Sequence, residues 1–169
     1  MNSNPDDVFV VLSAGSNIGH RKQNIKYAYT LLMESNALTS SRISSYYETE
    51  PVGKKEQEWF INVAIIGQTS LPLNNFIQLC KSIEYAVGRK KREPDAEREI
   101  DIDVIFYGDE MYETMELTVP HSRMHERKFV LEPASEIAAY SIHPKFKKTI
   151  LQLLKECKDE SVVRKCDTI

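Results

Sequence analysis

Ile100-Asp-Ile-Asp-Val-Ile-Phe-Tyr107 is rich in β-branched and aromatic residues and closes on the turn pair Gly108-Asp109, so it reads as a β-strand. Side chains alternate along a strand, which puts Asp101 and Asp103 on one face, roughly 7 Å apart at their Cα atoms, and Ile102 on the other, toward a core. Ahead of the strand lies Arg89-Lys-Lys-Arg-Glu-Pro-Asp-Ala-Glu-Arg98, highly charged and without apolar period. Ahead of that is the clearest helix in the chain. Pro72 suits its first turn, Phe76, Ile77, Cys80, Ile83 and Val87 share a face, and Gly88 stops it.

Working outward, Val8-Phe-Val-Val-Leu12 reads as a buried strand, broken by Ser13-Ala-Gly-Ser-Asn17. From about Lys22 to Glu34, Ile25, Ala28, Tyr29, Leu32 and Met33 recur at helical spacing. Ile43 to Thr49 is a second strand, Pro51 to Gln57 a polar loop, and Trp59 to Ile66 a third strand ending at Gly67. Beyond Tyr107, Met111 to Val119 fits a further strand, and short helices fit near Pro133 to Ala139 and from Thr149 to Glu156. The order β-α-β-β-α-β predicts an α+β fold, a ferredoxin-like sandwich with both helices on one face and additional C-terminal strand and helix elements.

The 169 residues, 41% hydrophobic and 28% charged, suit a single domain over 1–169 with a core at about 8–155. A net charge of -3 argues against general binding to nucleic acid or acidic membranes, which needs a basic surplus. No stretch approaches the roughly 20 apolar residues of a membrane span, and Met1 to Asp7 is too polar for a secretory signal. Cys80, Cys157 and Cys166 form no CxxC motif and read as reduced thiols of a cytoplasmic protein.

Asp is disfavoured in strands, and two carboxylates on one face repel. A solvated strand face tolerates them; a divalent cation removes the conflict, and oxygen ligands favour Mg²⁺, which keeps waters and substrate phosphates as its other ligands. Arg89, Lys90, Lys91, Arg92 and Arg98 beside this strand suit a polyphosphate, although Glu93, Asp95, Glu97 and Glu99 dilute the patch and a solvated charged loop reads as well. Pro120 fixes the backbone before His121, whereas His20, His125 and His143 read as ordinary surface or core residues. Gly15-Ser-Asn-Ile-Gly19-His-Arg-Lys22 is not a P-loop: its glycines are one residue too close and no Gly-Lys-Ser/Thr follows. Without GxGxxG either, nucleotide binding must rest on metals and cations.

With these residues in view, the chain resembles the 6-hydroxymethyl-7,8-dihydropterin pyrophosphokinase family. The likeness is carried by Leu12-Ser-Ala-Gly-Ser-Asn17, Ser44 to Gly53, Phe60-Ile-Asn-Val-Ala64, Arg98 to Gly108, Leu117-Thr-Val-Pro-His121 and Arg127-Lys-Phe-Val-Leu-Glu-Pro133. The resemblance implies transfer of the terminal diphosphate of ATP to the pterin hydroxymethyl group, with release of AMP. It implies two Mg²⁺ ions on Asp101 and Asp103, phosphate contacts from Arg89, Arg98 and Arg127, and an ATP side at His121 and Thr118. It also implies a pterin sandwiched by Phe60 and Phe129, with Asn62, Thr49 and the backbone near Pro51 and Val52 along its edge. The expected partners are these two small molecules, with no nucleic acid or membrane, on a monomer.

The chain departs from the family's common pattern in places. Phe60 stands where many relatives have Tyr, and Pro94-Asp-Ala-Glu97 replaces a Trp-Gly-Pro stretch with about one residue fewer. Glu116 and Ser122 replace an Arg and a Tyr beside the ATP strip, which predicts weaker nucleotide binding. Two other readings remain: a nucleotidyltransferase built on Gly15-Ser16, and a non-catalytic ferredoxin-like binding module. The first is disfavoured by the more than eighty residues between Gly15-Ser16 and the acidic strand.

Overall fold

The computed structural model describes residues 7–52, 56–93, 96–114 and 117–167. The elements run β1 (Val8–Ser16), α1 (Arg21–Glu34), β2 (Thr39–Ile43), β3 (Tyr46–Thr49), β4 (Phe60–Thr69), α2 (Leu73–Val87), β5 (Asp101–Tyr107), β6 (Tyr112–Glu113), β7 (Thr118–Val119), a 3-10 turn (Met124–Glu126), α3 (Lys128–Ala138), α4 (Ile150–Glu156) and β8 (Val163–Asp167). The main sheet has the order β5-β1-β4-β3-β8, with β2 also on β4, and its pairs are antiparallel. Flanked by β5 and β4, β1 is an interior strand of the sheet.

The two faces of β1 follow its alternation. Val10, Leu12 and Ala14 pack with Ile25, Ala28 and Leu32 of α1 and Phe76, Cys80 and Ile83 of α2. Val11 faces the other way, into a second core with Ala64, Ile105, Val130, Leu131 and Ile150 under α3 and α4. Both faces of the sheet are therefore covered. Helix α2 ends at Gly88, whose φ of 111° lies in the left-handed region that glycine reaches without a Cβ clash.

Several expectations are corrected. β1 runs on through Ser13–Ser16, because these small residues sit flat between β4 and β5. A Cβ on Gly15 would collide with Asn62 Oδ1, so glycine here permits close strand approach rather than a turn. The expected strand Ile43 to Thr49 is two pieces: Ser44 Oγ accepts the Ala64 N–H at 2.9 Å and Glu136 Oε1 accepts the Ser45 N–H at 3.1 Å, drawing the chain off the ladder. Gly67 lies inside β4 rather than ending it, and Leu38 and Thr39 crowd the position a Cβ would take. Met111 to Val119 is not one strand but the short hairpin β6–β7, paired through Tyr112–Val119 and Glu113–Thr118. Helix α3 starts at Lys128, ahead of Pro133, because Asp159 Oδ2 accepts the Lys128 N–H at 2.9 Å and caps the helix from a distant segment. β8, at Val163–Asp167 beyond the expected core, was not anticipated from the sequence and extends the main sheet beside β3. Gly53 to Lys55, Pro94, Asp95 and Glu116 lie outside the described residues.

Candidate active site

Strand register assembles the site. Gly15 pairs with Asn62 on one side and Asp101 on the other, and Ser13 pairs with Asp103. On the face toward α3, the small side of β1 leaves a hollow of about 350 Å³. Thr49, Val52, Phe60, Asn62 and Phe129 line one part of it; Arg98, Asp101, Asp103, Arg123 and Arg127 line the rest. A larger cleft of about 920 Å³ opens between α2 and the β6–β7 hairpin, with Lys81, Glu84, Arg89, Thr118 and His121 in its wall. Asp101 and Asp103 line both spaces, so the carboxylate pair stands where they meet.

Of the arginines expected at the phosphates, Arg89 lines the larger cleft, whereas Arg98 and Arg127 line the smaller cavity. The aromatic and amide residues share the smaller cavity, and Arg89, Thr118 and His121 share the larger one. Pro51 is buried but is not in either wall, whereas its neighbour Val52 is exposed and lines the smaller cavity. Asn62 donates to Thr49 Oγ1 at 2.7 Å, and both are buried, so the polar edge of this cavity is pre-assembled. Phe60 on β4 and Phe129 in the first turn of α3 supply flat apolar surface there.

Charge in the site is concentrated. Asp101 receives Arg89 Nη1 at 2.8 Å on one oxygen and Arg98 Nη1 at 2.6 Å on the other. Asp103 has no hydrogen-bond partner among the described residues. Burial, then the neighbouring Asp101 charge, pushes its carboxyl up to about 7. Glu84 is also pushed upward by burial, although it accepts the Ile102 N–H at 2.6 Å and pairs with Arg89. Asn17 fixes Arg98 through the backbone: its N–H donates to the Arg98 carbonyl at 3.1 Å, and its Oδ1 accepts the Arg98 N–H at 2.8 Å.

Both ring nitrogens of His121 meet donors: Nδ1 accepts the Arg123 N–H at 3.2 Å, and Nε2 lies 3.5 Å from Arg127 Nη1. Burial, followed by the Arg127 charge, lowers its proton affinity. The Arg127 guanidinium beside the ring suits an anionic oxygen.

Among the described residues, no group of three or more His, Cys, Asp or Glu side chains could hold a metal by itself. The Asp101–Asp103 pair is instead a two-carboxylate platform with hard oxygen donors on one face of β5. That donor set fits a hard divalent ion completed by waters and phosphate oxygens.

Residues 11–139 match the family model of 7,8-dihydro-6-hydroxymethylpterin-pyrophosphokinase (HPPK). The chain belongs to this family. It is 40% identical over 126 residues to the 2-amino-4-hydroxy-6-hydroxymethyldihydropteridine pyrophosphokinase of Bacillus subtilis, covering 75% of each chain. It is 37% identical over 155 residues to the Aquifex aeolicus enzyme of the same name, covering 92% of this chain and 93% of that one. Among solved structures it resembles wild-type Plasmodium falciparum HPPK-DHPS with pteroate, with a TM-score of 0.69, 14% identity and coverage of 92% of this chain. The chain spans only 43% of that longer protein, and at this identity the likeness concerns the fold. HPPK members are pyrophosphokinases of folate synthesis, so the chain's family is an enzyme family.

Three residues that line or brace these cavities were not singled out from sequence. Glu84 sits one helical turn from Cys80 on the buried stripe of α2, and a carboxylate on an apolar face was the available signal. Asn17 and Arg123 gave no local signal, since their roles depend on Arg98 and on the cavity wall.

Proposed function

We propose that the chain transfers the terminal diphosphate of ATP to the hydroxymethyl oxygen of 6-hydroxymethyl-7,8-dihydropterin, a step of folate synthesis, with Mg²⁺. The observation that carries this reading is the carboxylate pair lining both the aromatic–amide cavity and the larger cleft. The pterin lies flat between Phe60 and Phe129, and Asn62 and Thr49 meet its amide and amino edge. ATP occupies the larger cleft, with its triphosphate running toward Asp101 and Asp103. The hydroxymethyl oxygen bonds to the β-phosphorus, the bond from that phosphorus to the α–β bridging oxygen breaks, and AMP leaves with the bridging oxygen. The hydroxyl proton passes to solvent, and no protein base is assigned.

Mg²⁺ held by Asp101 and Asp103, in two ions, would neutralise the triphosphate and polarise the transferred phosphorus. The chain's own cations do the rest. Arg89 and Arg98, which neutralise Asp101 in this structure, and Arg127 beside His121 supply positive charge where the transition state gathers negative charge. His121 and Thr118 border the nucleotide. Positioning and charge stabilisation are most of what phosphoryl-type transfer requires.

We further read the chain as one pyrophosphokinase domain working as a cytosolic monomer. Its three free cysteines support the cytosolic location. Incubation with MgATP and 6-hydroxymethyl-7,8-dihydropterin tests the activity. AMP forming one-for-one with the pterin diphosphate is expected; ADP in place of AMP, or no pterin-dependent AMP, contradicts it.

A further inference from the structure

When diphosphate moves to the pterin, several negative charges move with it, out of the nucleotide cleft and onto the ligand of the smaller cavity. The cavity that keeps the product must then supply cations of its own. Its wall holds Arg98, Arg123 and Arg127. Arg98 is committed to Asp101 at 2.6 Å, and its backbone is clamped by Asn17. Arg127 lies near His121, with its guanidinium 5.7 Å from the Phe129 ring centroid.

Arg123 differs from both. Its backbone is fixed, because its N–H donates to His121 Nδ1 at 3.2 Å. Its side chain is free to turn. The one ion pair it makes among the described residues is with Glu126, at 3.2 Å, and the two side chains are 60% and 55% exposed. Exposed pairs of this kind, one helical turn apart, contribute little and exchange readily for a stronger anion. Arg123 also borders an adjoining cleft of about 510 Å³, which shares Val52 and Arg127 with the pterin cavity. It therefore stands at the boundary between the cavity that receives the diphosphate and an opening beside it.

We propose that, given the transfer described above, Arg123 is a product-binding residue: its guanidinium leaves Glu126 and grips the diphosphate once it is attached to the pterin. Two phosphate groups offer the paired oxygens that a guanidinium fork binds bidentately, and the unmodified pterin offers none. Arg123 thus discriminates the diphosphate ester from the alcohol, and Glu126 competes with the ester for it.

Calorimetric titration of 6-hydroxymethyl-7,8-dihydropterin and of its diphosphate ester into the full chain, R123Q and E126Q tests this. R123Q is expected to bind the ester about tenfold more weakly, with alcohol binding unchanged to within about twofold. E126Q is expected to bind the ester at least as tightly as the unaltered chain. Equal losses for both ligands in R123Q, no loss for the ester, or an E126Q that weakens the ester as R123Q does would overturn the assignment. AMP formation by the unaltered chain separates the outcomes. Where it is present, a failed R123Q result removes only the role of Arg123; where it is absent and neither pterin binds, the pyrophosphokinase reading falls and this role with it.

Discussion

Arg98 and Asp101, three residues apart, meet at 2.6 Å between Nη1 and Oδ2, and Asn17 grips the backbone of the same arginine from both sides of its peptide frame. A guanidinium held this firmly is placed for charge stabilisation rather than for capture. Arg98→Lys keeps the charge but loses the planar fork. Turnover is expected to fall by about a hundredfold or more, while calorimetric affinities for an ATP analogue and for the pterin stay within a few-fold. A variant that loses ATP affinity at unchanged maximal rate would remove this role from Arg98.

Glu84 ties Arg89 to the edge strand. It accepts the Ile102 N–H at 2.6 Å and pairs with Arg89, which also reaches Asp101. Glu84→Gln can still accept the Ile102 N–H but no longer neutralises Arg89. A melting temperature lower by a few degrees is expected, because breaking a largely buried pair costs about 3 kcal/mol before allowance for its exposed side. Nucleotide affinity should change with it. Thermal melts and ATP-analogue titrations that both match the unaltered chain would show the network to be inert.

Gly15→Ala tests the floor of the smaller cavity, where the pterin is proposed to bind. The added Cβ would meet Asn62 Oδ1, the side chain that also donates to Thr49 at 2.7 Å. Displacing Asn62 should weaken pterin binding by roughly tenfold, the value of one or two buried hydrogen bonds, and leave the nucleotide cleft unchanged. Calorimetry with each ligand separately distinguishes this from general loss of structure, in which both affinities fall.

His143 gives the fold a pH dependence away from the site. It is buried, its Nδ1 accepts the N–H groups of Lys145 at 3.1 Å and Phe146 at 3.3 Å, and its ring packs edge-on against Phe106. Burial, then the nearby His125, lowers its pKa to about 4. In the unfolded chain the value is about 6.5, so between these pH values the unfolded state binds more protons. The stabilisation is fully present above about pH 6.5 and is lost as pH falls through about 4. His143→Asn keeps an acceptor for the same N–H groups but cannot titrate. Melting curves at pH 7 and pH 5 should show a smaller pH-dependent drop for the variant; equal drops would contradict the assignment.

Local pattern was enough for the elements that are locally specified. The stripe from Phe76 to Val87 with Gly88 as its stop, the short helix from Thr149 to Glu156, and the alternation at Asp101-Ile102-Asp103 each carry their meaning within a few residues. The misread stretches owe their form to distant partners. Ser13–Ser16 stays in the sheet because Asn62 and Asp101 flank Gly15, the break at Ser44-Ser45 is held by Ala64 and Glu136, and the start of α3 depends on Asp159. The site followed the same division. Residue types and alternation marked the carboxylates and aromatics, but only strand register placed the carboxylates in the walls of two cavities.

The central claim is that Asp101 and Asp103 together hold the cations that carry the triphosphate up to the pterin. Mn²⁺ binding, followed by electron paramagnetic resonance in the presence of a non-hydrolysable ATP analogue and the pterin, tests it most directly. The unaltered chain should bind two Mn²⁺ ions per chain close enough to couple magnetically, and Asp103→Asn should lose that coupling. An unchanged ion count and coupling in Asp103→Asn would contradict the claim.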